Sequence, residues 1–204
     1  MFSNRVDAGM RLAKILVPMP NSLVLAIPRG GVVLGDIIAQ KIGCPLDVVI
    51  SKKITPPDYP EYAIGAITHD GTLYQGEHWS KFSQDPRFAK ELSEKQTEVK
   101  ERLEKYRGNA EYVIKDKQII LVDDGVATGA TVLAILEWIK NQHPKKITLV
   151  LPVIPRESFN KLEKVVDEII SLEISDSFTS VGQFYEDFSQ IPDKKVQEIL
   201  AKYN

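Results

Sequence analysis

The chain has 204 residues, 43% of them hydrophobic and 26% charged, with a formal charge of −2. That length can bury a sizeable core, and fits one large domain or a core carrying an insertion. The charge balance offers no basic surplus for nucleic acid, no apolar run approaches the ~20 residues that span a bilayer, and the lone cysteine, Cys44, excludes an intramolecular disulfide.

Apolar residues at Val6, Met10, Ala13 and Leu16 predict an opening helix with Arg5, Arg11 and Lys14 on its outer side, ended by Pro18 and Pro20. The opening stretch lacks a long apolar signal core; with the lone cysteine this points to a reducing cytoplasm. "SLVLAI" (22–27) reads as a short buried strand, "GGVVLGDIIAQKIG" (30–43) as a helix stopped at Gly43, and "LDVVISKKI" (46–54) as a second strand. Strand, Gly-rich turn, helix and strand then follow one another over about the length of a βαβ unit. Cys44 is expected to pack in the core.

The rhythm breaks at "TPPDYPEY" (55–62), whose three prolines cannot occupy a central strand. "YAIGAI" and "TLYQ" flank "THDG", where Asp70-Gly71 predicts a hairpin turn and places His69 in an exposed loop. Residues 86–107 form a charged helix that packs along a narrow stripe of Phe88, Leu92, Val99, Leu103 and Tyr106. Residues 55–115 therefore read as an excursion from the core. At "QIILV" (118–122) the alternation resumes, with a helix over about 129–142, a strand at 146–154, a helix over about 156–164 and a strand at 166–174. This pattern predicts an α/β fold with a parallel sheet flanked by helices, built from 1–54 and 116–174, with 175–204 as a separate tail.

The junction "IILVDDGVATGATVLAIL" (119–136) carries more chemistry than a strand-to-helix turn requires. Ligands in open parallel sheets bind beyond the carboxyl ends of strands, where Asp123 and Asp124 stand. The free amides and positive end of the following helix favour an anion, Gly125 and Gly129 permit close approach, and Thr128 and Thr131 add hydroxyls. The acids would repel that anion. They suit vicinal sugar hydroxyls or a divalent metal. Phosphate at the helix end and a diol at the strand end lie about one ribose apart. A plain N-capped turn would not need two acids. A Walker-type ATPase would need G-x-x-x-x-G-K-[ST], but Gly30 to Gly35 is followed by Asp36-Ile37; a dinucleotide fingerprint, G-x-G-x-x-G, is absent.

"ILVDDGVATGAT" resembles the PRPP-binding motif of type I phosphoribosyltransferases: four apolar residues, two acids, then a Gly/Thr-rich loop. The resemblance implies that Asp123 and Asp124 hold the ribose hydroxyls and serve catalysis. Gly125, Val126, Ala127, Thr128, Gly129, Ala130 and Thr131 would line the 5′-phosphate loop, Ala127 standing where many members have Thr. "AIPRGGV" (26–32) is similar to the family's diphosphate loop, which often holds a strained peptide bond, so Arg29, Gly30 and Gly31 are expected at the diphosphate. Lys52 and Lys53 are expected to join them from the end of the next strand on the same sheet edge. The 55–115 segment stands where the family has a mobile flap, and 175–204 where it has a hood that selects the acceptor. "PEYAIGAI" and "SVGQFYEDFSQIPDKKV" resemble a less characterised bacterial and archaeal branch, and within the second stretch Phe184, Tyr185 and Phe188 are candidates to stack on a planar base.

The function implied is transfer of the phosphoribosyl group of PRPP to an acceptor nitrogen, most simply a nucleobase, in nucleotide metabolism. Mg²⁺ would be held mainly through PRPP, and the partners would be a small-molecule acceptor and a second copy of the chain, with neither nucleic acid nor membrane. The competing readings are a non-catalytic PRPP-binding regulator on the same fold and an unrelated Rossmann-like kinase or hydrolase.

Overall fold

The computed structural model describes residues 1–60 and 62–203; Glu61, inside the proline-rich 55–62 stretch, and Asn204 lie outside the described residues. The chain divides into two compact units, one of Met1–Val49, Ile114–Thr128 and His143–Asn204, the other of Ile50–Val113 and Gly129–Gln142.

The first unit contains helices α1 (Arg5–Ile15) and α2 (Gly30–Ile42) and strands β1 (Ser22–Ala26) and β2 (Leu46–Val48). In the second lie β3 (Ser51–Ile54), β4 (Gly65–Thr68), β5 (Leu73–Gln75), α3 (Trp79–Phe82) and α4 (Phe88–Arg107). β6 (Gln118–Val122) returns to the first unit, α5 (Ala130–Asn141) belongs to the second, and β7 (Lys146–Pro155), α6 (Arg156–Leu162), β8 (Glu168–Ser175) and α7 (Asp193–Leu200) complete the first. The fold is α/β, with a five-stranded parallel sheet of order β2-β1-β6-β7-β8 flanked by helices.

β1 is buried at every position and β6 at all but its first, the near-continuous apolar runs of strands covered on both faces. Register is direct: Leu23 faces Ile119 and Ala26 faces Val122, so β1 and β6 end level at their carboxyl edge. That alignment brings Pro28–Gly31 beside the acids that follow β6.

The predicted strand 46–54 is two strands in two sheets. β2 pairs parallel with β1, whereas β3 pairs antiparallel with β4. The apolar run Val48, Val49 and Ile50 carries no mark of the break at Val49-Ile50, because both pieces remain buried there.

The opening helix turns a different face inward than its apolar residues predict. Val6 and Met10 are 46% and 48% exposed, while Arg5, Ala8, Gly9, Leu12 and Ala13 are buried. Close packing is the reason. A Cβ at Gly9 would lie 2.9 Å from Ile37 Cδ1 and 3.3 Å from Leu34 Cα, so small residues let α1 settle onto α2. α7 closes the same unit through Val196, Ile199 and Leu200. Beyond it, Lys202 Nζ and the Tyr203 hydroxyl reach the Asp36 carboxylate at 2.6 and 2.8 Å. Burial opposes the charge on Asp36, but hydrogen bonds from Lys202, Tyr203 and Gln40 outweigh it and hold the carboxyl below its usual range.

In the second unit β3-β4-β5 form an antiparallel sheet. Ile54, Ile64, Ile67 and Phe88 make its core, with Trp79, Phe82 and Leu92 packed against them. The predicted hairpin is present, with Gly71 at φ +93. α5, which the sequence pattern assigns to the parallel core, packs here: Ala130 and Ala134 are small enough to sit against Ala66. His69 is a correction. It is buried, its ring 5.1 Å from Trp138 of α5 and 5.5 Å from Tyr112, and burial lowers its pKa. A turn signal identifies the bend but not the helix that covers it. Cys44 is half-buried rather than in the core.

Candidate functional site

β6 delivers Asp123 and Asp124 directly beyond its last buried residue, Val122. The two acids have different surroundings. Asp123 is half-buried, and its Oδ1 accepts the Asp124 backbone N–H at 2.8 Å. Asp124 Oδ2 accepts from Arg5 Nε at 2.6 Å, with only 10% of the Arg5 side chain and 15% of the Asp124 side chain exposed.

Arg5 is the residue at these acids that sequence reasoning misses. Its guanidinium also donates through Nη1 to the Ser189 carbonyl at 2.8 Å, and lies 3.9 Å from the Phe188 ring centroid. The amphipathic pattern places it outside with the other basic residues of the helix. Two signals could have found it: Arg5, Ala8, Gly9, Leu12, Ala13 and Leu16 form a continuous helical stripe, and a cation in the first turn opposes the helix dipole, so it needs another reason to be there.

The start of α2 presses against the same acids. A Cβ at Gly30 would collide with the Asp124 carboxylate and lie 2.6 Å from Arg5 Nε; at Gly31 it would lie 2.7 Å from the Val122 carbonyl oxygen and 3.0 Å from Asp123 Cα. The two glycines are thus required by close approach. The Pro28–Arg29 peptide is cis. Arg29 caps α2, and its Nη1 lies 3.6 Å from Asp193 Oδ1. Arg5, Arg29, Gly30, Gly31, Asp123 and Asp124 therefore gather in one region, from three separate parts of the chain.

Enclosure pushes the Asp123 carboxyl well above its ordinary range, and the negative charge of Asp124 pushes the same way; the Asp124 N–H partly offsets them. A carboxyl raised in this way binds its proton more tightly folded than unfolded. Its contribution to stability is therefore full below the unfolded pKa of ~3.9 and declines as pH rises through the folded pKa. Asp123→Asn keeps the acceptor oxygen and removes the cost of ionisation. Its melting temperature is expected to exceed that of wild type by a margin that grows between pH 5 and pH 8, reaching roughly 2–4 °C for each kcal/mol relieved. Thermal unfolding across that pH range measures it; a margin independent of pH would contradict the enclosure of Asp123.

After the acids, Gly125 adopts φ +152, and a Cβ there would lie 3.1 Å from Val153 Cγ1 and collide with Val181. The Ala127 carbonyl accepts from Ser158 Oγ, and Val126 is buried, while Ala127 and Thr128 are exposed. Gly129, at φ +79, stands before α5, and no side chain caps the helix, so the first amides of Ala130 and Thr131 have no side-chain acceptor at the cap.

Lys52 and Lys53 do not end a strand of the parallel sheet. They lie in β3 of the second unit, where Lys52 pairs with Glu98 at 2.5 Å and Lys53 is exposed. Of the three tail aromatics, Tyr185 is taken up by the fold: it is buried against Phe2, and its hydroxyl donates to the Asp124 carbonyl at 2.7 Å. Burial drives that hydroxyl's pKa strongly upward, which keeps it a neutral donor. Phe188 lies against Arg5, and Phe184 stacks on Phe178 at 5.6 Å. The tail thus braces the acids from behind. No helix is long and apolar enough to cross a membrane among the described residues.

Residues 4–189 match the model of the phosphoribosyl transferase domain. Two Mycobacterium tuberculosis proteins, the phosphoribosyl transferase candidates MT0597 and Rv0571c, are 32% identical over 211 residues, covering 99% of this chain and 47% of theirs. The chain thus spans about half the length of these two relatives. The crystal structure of TT1426 from Thermus thermophilus superposes with a TM-score of 0.84 at 33% identity, over 99% of this chain and 98% of that one. A purine phosphoribosyltransferase from Pyrococcus horikoshii shares the fold, with a TM-score of 0.55 at 15% identity over 94% of this chain and 95% of its own.

Proposed function

Proceeding from a chain that belongs to the phosphoribosyl transferase family, we propose that it transfers the 5-phosphoribosyl group of PRPP to a nitrogen of a nucleobase and releases diphosphate. The observation that carries this reading is the treatment of the acid pair: Asp124 is held by Arg5 while the backbone of Gly30 and Gly31 is brought against both acids. A carboxylate fixed in this way keeps lone pairs for the 2′ and 3′ hydroxyls of a ribose. The motif's continuous run from Gly125 to Thr131 takes the 5′-phosphate on backbone amides, with Thr128 and Thr131 adding hydroxyl donors. Arg29 and the amides that open α2 take the diphosphate.

Transfer needs no covalent nucleophile from the protein. Anchoring PRPP at its phosphate, diol and diphosphate fixes the anomeric carbon for attack, so these residues act chiefly by positioning. Among the described residues no group of three or more His, Cys, Asp and Glu side chains is placed to hold a metal ion. A Mg²⁺ would be held mainly by the oxygens of PRPP itself, beside the adjacent acids Asp123 and Asp124. Such an ion would supply charge neutralisation at the leaving diphosphate, with Asp123 and Asp124 on the ribose hydroxyls.

Diphosphate release from PRPP and Mg²⁺, measured over a panel of purine, pyrimidine and non-base acceptors, tests the proposal. Acceptor-dependent release supports it. Tight PRPP binding without turnover on any acceptor assigns the chain to a non-catalytic PRPP-binding regulator, and ATP binding without PRPP binding sinks both.

A further inference from the structure

The five-stranded sheet has a second end. The acids lie at the carboxyl edge, but a cavity of about 410 Å³ opens at the amino edge. Its walls come from the segments that lead into three neighbouring strands: Pro20 and Ser22 at the start of β1, Pro45 before β2, and Lys117 before β6, with Ile42 and Cys44 from the end of α2. The register fixes this grouping, since Ser22 faces Gln118 and Val24 faces Leu46.

Two features mark the cavity as more than a surface hollow. Ser22 lines the cavity and is 6% exposed, and its hydroxyl is enclosed behind the wall, where it meets no hydrogen-bond partner beyond the weakly interacting Cys44 thiol. A buried hydroxyl left in that state costs stability unless something supplies the missing bond. Lys117, half-buried at the rim, forms no ion pair among the described residues, and its ammonium is free to take an anion. Pro20, Ile42 and Pro45 supply apolar wall between them. A hollow of this volume, with apolar wall beside a charged group, has the composition of small-molecule sites.

We propose that this cavity binds a small aromatic or alicyclic anion, its ring against the proline and isoleucine wall and its carboxylate or sulfonate on Lys117. The site is independent of the acid pair and of the transfer reaction, being at the opposite edge of the same sheet.

Anilinonaphthalene sulfonate, an apolar ring system with one anionic group, is a suitable probe on the full chain. Fluorescence titration is expected to saturate at one dye per chain. Lys117→Ala is expected to weaken binding about tenfold, and Lys117→Arg to restore it. PRPP is expected to leave the dye in place. The single cysteine gives a readout that needs no variant: Cys44 forms part of the wall, so dye is expected to slow its alkylation by iodoacetamide, followed by intact mass, and alkylated protein is expected to lose the dye. The proposal is overturned if the wild type shows no saturable dye binding. It is equally overturned if dye fails to protect Cys44, if Lys117→Ala binds as well as wild type, or if PRPP displaces the dye.

Discussion

Arg5→Ala is expected to lower the unfolding free energy by about 3–5 kcal/mol, the range for removing one partner of a buried ion pair. The substitution leaves Asp124 in a setting where only 15% of its side chain meets solvent, with no cation to offset its charge. It also removes the donor to the Ser189 carbonyl and the cation above Phe188, so the tail loses one of its ties to the amino-terminal segment. Against a typical total of ~5–15 kcal/mol this is a large loss. Arg5→Lys is expected to recover only part of it, because an ammonium keeps the charge but cannot present Nε to Asp124 and Nη1 to Ser189 at once. Urea unfolding of the three proteins measures the series. Equal stability of wild type and Arg5→Ala would show that Asp124 is not held in this way.

The second large effect belongs to Gly30. Gly30→Ala is expected to cost about 1–3 kcal/mol through overpacking, and to weaken PRPP binding at least ~10-fold, since 1.4 kcal/mol suffices for that. The new methyl group would meet the Asp124 carboxylate and Arg5 Nε, so relief requires moving the ion pair itself. Gly43→Ala is the control. At Gly43, φ is +76 but nothing lies within 4 Å of an added Cβ, so that change costs only the left-handed conformation and leaves PRPP affinity unchanged. Calorimetric titration with PRPP on both variants separates crowding at the site from general strain. Similar affinity in the two would contradict the close packing of α2 on the acids.

Residues near one another in sequence were the easiest to read. "ILVDDGVATGAT" places two acids at a strand end and a glycine before a helix, and each lies there in the structure because strand ends and helix starts leave local marks. "PRGG" marks the start of α2 for the same reason. The parallel sheet follows from the alternation of apolar runs with helical ones. What stayed hidden depends on contacts between distant segments. Arg5 and Asp124 are 119 residues apart, and nothing around Arg5 alone tells a solvated cation from a buried one. The break between β2 and β3 lies within a run apolar enough for either sheet. His69 is buried by Trp138 of α5, a helix that the alternation of elements assigns to the other unit. Lys52 is bound by Glu98, 46 residues further along a helix whose charges read as solvated.

The central claim is that Asp123 and Asp124 grip the ribose of PRPP. Calorimetric titration of PRPP into wild type and into the double variant Asp123→Asn, Asp124→Asn tests it most directly, with thermal unfolding to show that the variant is folded. At a pH where both acids are ionised, asparagine preserves shape while removing charge-assisted acceptors worth ~1.5–3 kcal/mol each, so the variant is predicted to bind at least ~100-fold more weakly. A folded variant that takes up PRPP as tightly as wild type would contradict the account.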